Sequence, residues 1–147
     1  MNEIKFKKLK DKAILPVRAT PGSAGMDLYA CIDEPLLIEG GGHALIPTGL
    51  ALELPTADSA AFVFARSGLA VRHGLGLLNG VGVIDSDYRG EVKVGLINQF
   101  KEDYEIQPGE RIAQLVLMPV SLAPVIEAEE LEESQRGAGG FGSTGKK

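Results

Sequence analysis

The sequence predicts a single all-β domain, either a sandwich or a barrel, with one short helix and a glycine-rich C-terminal arm. Apolar residues alternate with polar or small residues in short segments such as 50–54 and 92–97, and a period of two is typical of strands. Glycine or proline interrupts the chain about every ten residues, as expected for short strands joined by turns. The length of 147 residues fits one domain.

The apolar pattern places the strands along the chain. Alternation predicts strands at residues 4–7, 50–54 and 92–97. Residues 62–64 and 115–118 are continuously apolar, which is typical of strands buried on both faces, although short helices can have the same pattern.

A short helix is predicted near the middle of the chain. Ser67 is the expected N-cap and Gly74 the expected end. Arg66 precedes the cap, and an arginine beside a helix N-terminus suits phosphate oxygens. An ordinary helix cap explains the same residues, so both interpretations stay open.

The composition changes after Pro124. Residues 127–133 are mostly acidic, and residues 136–147 contain five glycines. This segment lacks the apolar residues for a core of its own. We therefore expect residues 1–126 to form the β domain and residues 127–147 to be an acidic linker and flexible glycine-rich arm of the same domain.

Charge and cysteine content argue against several classes of protein. Lys and Arg number 15 against 20 Asp and Glu, so the net charge of −5 offers no basic surface for nucleic acid or an anionic membrane. The sequence has no signal peptide pattern and no apolar run of membrane-spanning length. With Cys31 as its one cysteine, the chain is expected to be soluble and cytoplasmic.

Two polar residues interrupt apolar segments. Asp27 lies within residues 24–30, where an unpaired carboxylate would be costly, so it needs either a buried arginine or the water shell of a metal ion. Gln114 is a single amide within a predicted strand and must find hydrogen-bond partners.

The densest group of reactive side chains lies in residues 82–91, with four ionised residues and Tyr88. A polar hairpin turn is the simpler interpretation, and a catalytic turn is the alternative. In the arm, glycines allow close approach of the backbone, Arg136 adds a positive charge, and Phe141 is an aromatic lid. The arm is therefore either a disordered tail or a segment that folds over a phosphorylated aromatic ligand.

Five segments resemble, in order and spacing, the motifs of the homotrimeric dUTP pyrophosphatase (dUTPase) family, over nearly the whole chain. The segments are AGMDLYA from Ala24, ARSGLA from Ala65, NGVGVIDSDYRGEV from Asn79, GERIAQLV from Gly109 and RGAGGFGSTG from Arg136. The resemblance implies a distorted jelly-roll or β-barrel-like fold. It also implies Mg²⁺-assisted hydrolysis of dUTP at the α-phosphate, giving dUMP for thymidylate synthesis and pyrophosphate, and keeping uracil out of DNA.

The resemblance assigns the nucleoside end of the site. Asp85 is expected to activate the attacking water and to hold the sugar 3′-hydroxyl. Tyr88 is expected to stack under the deoxyribose and leave no room for a 2′-hydroxyl. Asn79 and the strand backbone near Gly82 are expected to read the uracil edge.

The resemblance also assigns the phosphate end. Ser67, Gly68 and Gln114 are expected to bind phosphate oxygens with Arg66 nearby, and Asp27 to hold waters of Mg²⁺. In the arm, Arg136 and the backbone of Gly142 and Ser143 are expected to clasp the terminal phosphates, and Phe141 to cover the uracil. In the family, three subunits share each site.

Two alternatives remain from the sequence. A dCTP deaminase-like enzyme would require a catalytic Glu near the cytosine amino group, whereas Asp85 with Tyr88 favours the hydrolase. A nucleotide-gated regulatory protein could keep the same pocket. Arg89 and Arg111 are expected to be structural, with Asp87 as the partner of one of them.

Overall fold

Within residues 3–142 and 145, which the computed structural model describes, the chain forms eleven strands and one short helix, and the all-β prediction is confirmed. In chain order the elements are β1 (Lys5–Lys8), β2 (Met26–Tyr29), β3 (Leu36–Ile38), β4 (His43–Pro47), β5 (Leu50–Glu53), β6 (Ser59–Phe64), α1 (Ser67–His73), β7 (Leu75–Leu77), β8 (Gly82–Ile84), β9 (Lys93–Asn98), β10 (Tyr104–Ile106) and β11 (Arg111–Pro119).

The strands form antiparallel sheets whose apolar faces meet in one main core. A four-stranded sheet has the order β2, β11, β6, β8, and a three-stranded sheet has the order β4, β9, β7. β1 pairs with β5, and β3 with β10. Leu28, Val63 and Leu115 from the four-stranded sheet share the core with Ile46 and Leu96 from the three-stranded sheet. Two sheets around one core agree with the predicted sandwich or barrel.

The continuously apolar strands differ from the prediction in one respect. Val63 and Leu115 are buried, but Phe62, Phe64 and Val116 are only half-buried. Because side chains alternate between the faces of a strand, one face of β6 and β11 meets the core and the described residues cover the other face only in part. The prediction that both faces are buried is therefore wrong for the single chain.

The helix begins one residue earlier than predicted. Arg66 is the N-cap, with extended backbone angles, and its carbonyl oxygen accepts the first helical hydrogen bond from the Ala70 N–H at 3.0 Å. Ser67 is thus the first helical residue and not the N-cap, and the Arg66 side chain makes no capping hydrogen bond. The end at Gly74 is confirmed: its φ of 70° is left-handed, and a Cβ there would lie 2.5 Å from the ring of Phe100.

The chain after β11 runs over the surface. From residue 120 to residue 142 it forms no helix or strand, and apolar side chains such as Val125 and Phe141 are fully exposed. In the described part of the chain, no helix is long and apolar enough to cross a membrane.

Candidate active site

The first candidate pocket lies beside β8 and the turn that follows it. Its volume is about 410 Å³, and we call it the β8 pocket. It brings together Asn79, Gly82, Asp85 and Tyr88, the residues expected at the nucleoside end of the site. The rest of its lining is Val63, Leu77, Val83, Ile84, Glu91, Val92, Lys93 and Gly95.

Hydrogen bonds to the backbone hold the turn after β8. The Tyr88 N–H donates to the carbonyl oxygen of Asp85 at 3.2 Å, and the Tyr88 hydroxyl donates to the carbonyl oxygen of Glu91 at 2.9 Å. The carboxylate of Glu91 accepts from the Gly49 N–H at 3.0 Å. Asp85 and Tyr88 are therefore carried by one closed turn that is tied, through Glu91, to Gly49 in the bend between β4 and β5.

Arg89 has a structural place in this turn, as predicted, but with different partners. Its Nη1 donates to the carbonyl oxygens of Ser86 at 2.8 Å and Tyr88 at 3.0 Å. Asp87 was expected to pair with Arg89 or Arg111, and among the described residues it forms an ion pair with neither.

The second candidate pocket lies between β2, the start of α1 and β11. Its volume is about 360 Å³, and we call it the Asp27 pocket. It brings together the residues expected at the phosphate end, Asp27, Arg66, Ser67, Gly68 and Gln114, and it also contains Ala19, Ser23, Ala24, Gly25 and Arg111.

Two arginines neutralise the carboxylate of Asp27. Arg66 Nε lies 3.0 Å from Oδ1, and Arg111 Nη1 lies 3.3 Å from Oδ2. The Asp27 side chain is only 14% exposed. The sequence predicted that a carboxylate in this apolar segment needs a positively charged partner, and the two arginines are such partners. Arg66 also donates through Nη1 to the carbonyl oxygen of Arg111 at 3.3 Å, which links the two guanidinium-bearing segments.

Gln114 is held so that its amide faces the Asp27 pocket. Its Nε2 donates to the carbonyl oxygen of Ala65 at 3.0 Å, so the predicted need for a hydrogen bond is met. Gly25 makes room for the other end of the amide, because a Cβ at that position would lie 2.4 Å from Gln114 Oε1.

Arg111 is a pocket residue that the sequence analysis treated only as structural. It lies three positions before Gln114, so regular alternation would put the two side chains on opposite faces. The β2–β11 pairing, however, shifts register between Arg111 and Ala113. This irregularity allows Arg111 to reach Asp27, and strand periodicity contained no signal for it.

The two pockets share no lining residue, and they lie at opposite edges of the four-stranded sheet, at β8 and at β2. Asp27 pairs with Gln114, and Gln114 pairs with Phe64, so these three side chains share one face. Val63, the next residue on β6, pairs with Gly82 on the other face. Three interstrand spacings, about 14 Å in total, separate β2 from β8. Within one chain the two pockets are therefore separate.

The described part of the arm lies away from both pockets of its own chain. Arg136 donates through Nε to the carbonyl oxygen of Gly139 at 2.7 Å, and Phe141 is fully exposed. In the part of the arm that the structure describes, which includes Gly142, no residue lines either pocket. Ser143 lies outside the described residues.

Sequence comparisons identify relatives over the whole length. A family profile described as dUTPase matches residues 11–145. A deoxyuridine 5′-triphosphate nucleotidohydrolase of Desulfitobacterium hafniense is 58% identical, with 99% of both chains covered. The protein with the same name from Syntrophotalea carbinolica is 49% identical, with 97% of this chain and 96% of the relative covered.

A structural comparison points the same way. The fold is similar to that of the dUTPase of Staphylococcus bacteriophage 80alpha, solved with dUPNHPP, with a TM-score of 0.89, 28% identity and 99% of both chains covered. Family profile, full-length identity and fold agree, and the chain therefore belongs to the dUTPase family.

Proposed function

We propose that this chain hydrolyses dUTP to dUMP and pyrophosphate in a homotrimer, at sites that combine the β8 pocket of one subunit with the Asp27 pocket of another. One observation carries the proposal: the residues expected around the nucleoside and those expected around the phosphates form two pockets that share no residue and that lie at β8 and at β2, the two edge strands of one sheet. A site formed where two chains meet would bring both sets of residues to one nucleotide.

The β8 pocket suits a pyrimidine deoxynucleoside. The Asn79 side-chain amide has donors and an acceptor for the uracil edge. Gly82 leaves its backbone accessible, and a Cβ there would press against Val63 at 3.1 Å. Tyr88 provides an aromatic face for the sugar and takes up the space that a 2′-hydroxyl would need.

Asp85 is the proposed general base. As the water oxygen forms its bond to the α-phosphorus, the Asp85 carboxylate accepts the water proton. The bond between the α-phosphorus and the oxygen that bridges to the β-phosphate then breaks, and pyrophosphate leaves. A carboxylate base of this kind contributes about 10²–10⁴ to the rate.

The Asp27 pocket suits the phosphates. Arg66 and Arg111 bring two guanidinium groups to a protein whose net charge is −5, and each keeps N–H donors beyond those directed at Asp27. The hydroxyl of Ser67, which is not the N-cap, the backbone of Gly68 and the amide of Gln114 are available to phosphate oxygens.

The residues present fit a Mg²⁺ ion that arrives with the nucleotide. Among residues 3–142 and 145, no group of three His, Cys, Asp or Glu side chains could hold a metal by itself. Mg²⁺ commonly binds through one carboxylate, several waters and substrate phosphates. Asp27 can accept hydrogen bonds from metal-bound waters, because a carboxylate has about four lone-pair sites and the arginines occupy part of them. The ion would offset the charge of the phosphates.

The arm is proposed to close a site on another subunit. Arg136 and the backbone of Gly142 and Ser143 would bind the terminal phosphates, while Phe141 would cover the uracil. About ten residues, 127–136, connect the domain to this segment and can span up to ~33–36 Å when extended. The full exposure of Phe141 in the single chain supports a binding partner outside that chain.

The test of this function is the release of pyrophosphate from dUTP, measured beside the release of ammonia from dCTP. We expect pyrophosphate from dUTP and no ammonia from dCTP. Glu91 lines the β8 pocket, but its carboxylate already accepts the Gly49 N–H, which disfavours a deaminase base there. Ammonia release would identify a deaminase, and binding without turnover would identify a regulatory protein.

A further inference from the structure

We infer that Gly90 is a positioning residue that sets the selectivity for deoxyribose over ribose, because the ring of Tyr88 lies where a side chain at position 90 would stand. The inference rests on the proposed role of Tyr88 against the sugar. It adds a second residue, one that has no contact with substrate in this account and acts only through Tyr88.

The space at Gly90 is filled by one side chain. A Cβ built at Gly90 would lie 2.4 Å from Tyr88 Oη, 2.6 Å from Cζ and 3.0 Å from Cε2. All three nearest atoms belong to the same ring. The closest of these distances is far below a normal carbon to oxygen contact. Any residue other than glycine at this position therefore collides with the ring of Tyr88.

Backbone conformation does not explain this glycine. Gly80, in the preceding loop, has a φ of 73° and open space around it, so its role is conformational. Gly90 is not among the glycines with positive φ in the described chain. Its requirement is the close approach of Tyr88.

A hydrogen bond also fixes the position of the Tyr88 ring. Tyr88 Oη donates to the carbonyl oxygen of Glu91, next to Gly90, at 2.9 Å. Glu91 is itself held by the hydrogen bond that its carboxylate accepts from the Gly49 N–H. The hydrogen bond to the Glu91 carbonyl oxygen thus holds the Tyr88 ring in place, and the absence of a side chain at Gly90 leaves space for it.

A small side chain at Gly90 has a specific consequence. The colliding atoms are at the end of the Tyr88 side chain, so rotating that side chain relieves the clash more easily than moving the backbone does. The backbone bond from the Tyr88 N–H to Asp85 is outside this movement. Gly90→Ala should therefore displace the sugar-contacting ring and leave the fold and the position of Asp85 intact.

The experiment compares kcat/KM for dUTP and UTP in five proteins: the unaltered chain, Gly90→Ala, Tyr88→Ala, the double variant, and Gly22→Ala. Gly22 is the matched control, because a Cβ there has nothing within 4 Å and its φ is not positive. Thermal unfolding of each variant verifies that the fold is kept.

We expect Gly90→Ala to lower the ratio of kcat/KM for dUTP over UTP by about ten- to a hundredfold, the size of effect that a displacement of ~1 Å produces. Gly22→Ala should leave the ratio unchanged. In the Tyr88→Ala background, Gly90→Ala should have no further effect, because the ring through which it acts is absent.

The outcomes separate this inference from the function on which it rests. If Tyr88→Ala lowers the ratio and Gly90→Ala does not, the role of Gly90 is wrong and that of Tyr88 stands. The same conclusion follows if Gly90→Ala acts equally in the Tyr88→Ala background. If Tyr88→Ala leaves the ratio unchanged, the proposed role of Tyr88 is wrong, and the inference fails with it.

Discussion

Gln114 Oε1 lies 2.4 Å from the position that a Cβ of residue 25 would occupy, so the amide of Gln114 stands in the space that Gly25 leaves open. Gly25 precedes β2, the strand that carries Asp27, and Gln114 lies opposite Asp27 on β11. The shape of the phosphate end of the proposed site thus depends on the absence of one side chain.

Gly25→Ala should push the Gln114 amide out of the Asp27 pocket. The loss of a hydrogen bond to a charged phosphate oxygen is worth about 1.5–3 kcal/mol, or roughly ten- to a hundredfold in kcat/KM for dUTP. Steady-state kinetics measure the effect, with Gly22→Ala as the control. Unchanged kinetics for Gly25→Ala would show that the Gln114 amide does not bind a phosphate oxygen.

Asp85→Asn should separate catalysis from binding. The amide keeps the shape of the carboxylate but cannot accept the water proton, so kcat should fall by about 10²–10⁴. Pyrophosphate release measures kcat, and calorimetry with a non-hydrolysable dUTP analogue measures affinity, which should change little. Asp87→Asn, two residues along the same turn, is the control. Full turnover by Asp85→Asn would show that another group activates the water.

Much of the fold was predictable because strand periodicity and glycine caps are local signals. The alternation at 92–97 corresponds to β9, and the left-handed Gly74 ends α1. The half-buried face of Phe62 and Phe64 was not predictable, because a continuously apolar run does not reveal which layers of the chain cover it.

The site was predictable as a set of residues, through the family resemblance, but not as two pockets. The separation of Asp27 from Gly82 depends on the order β2, β11, β6, β8, which brings distant segments of the chain together. The contact of Arg111 with Asp27 depends on an irregular register in β11. Neither property has a local sequence signal.

The ionisation of Tyr104 should make the free energy of unfolding depend on pH in the alkaline range. Burial, and then the hydrogen bond that its hydroxyl donates to Glu110 at 2.5 Å, raise the pKa of Tyr104 to about 12. The folded state therefore holds this proton more tightly than the unfolded chain, whose tyrosine pKa is about 10. The resulting stabilisation is complete below about pH 10 and is lost as the pH rises towards 12.

Urea unfolding of the unaltered chain and of Tyr104→Phe tests this dependence. The difference in unfolding free energy between the two should be constant at neutral pH. Between about pH 10 and pH 12, the unfolding free energy of the unaltered chain should fall relative to that of Tyr104→Phe. A difference that stays constant throughout this range would mean that Tyr104 titrates normally in the folded protein.

Deletion of residues 136–147 should leave a folded assembly with severely weakened catalysis. Stacking of Phe141 on uracil is expected to contribute about 1–3 kcal/mol, and the charge-assisted bonds of Arg136 a further ~1.5–3 kcal/mol. Thermal unfolding should change little, because the arm lies outside the core. Kinetics with dUTP provide the measurement, and unimpaired kcat/KM would show that the arm has no part in the site.

Each proposed site takes its β8 pocket and its Asp27 pocket from different chains. Subunits with Asp85→Asn have a defective β8 pocket, and subunits with Gln114→Ala have a defective Asp27 pocket. In a hybrid assembly, an intact β8 pocket of one variant can face an intact Asp27 pocket of the other. If both pockets served the same chain, every site would keep one defect.

The most direct measurement is the dUTP hydrolysis of an equal mixture of these two variants after verified subunit exchange. We predict recovery to about a quarter of the unaltered activity, since one neighbouring pair in four is intact when subunits associate at random in a ring. Activity no higher than the mean of the two separate variants would contradict sites shared between chains.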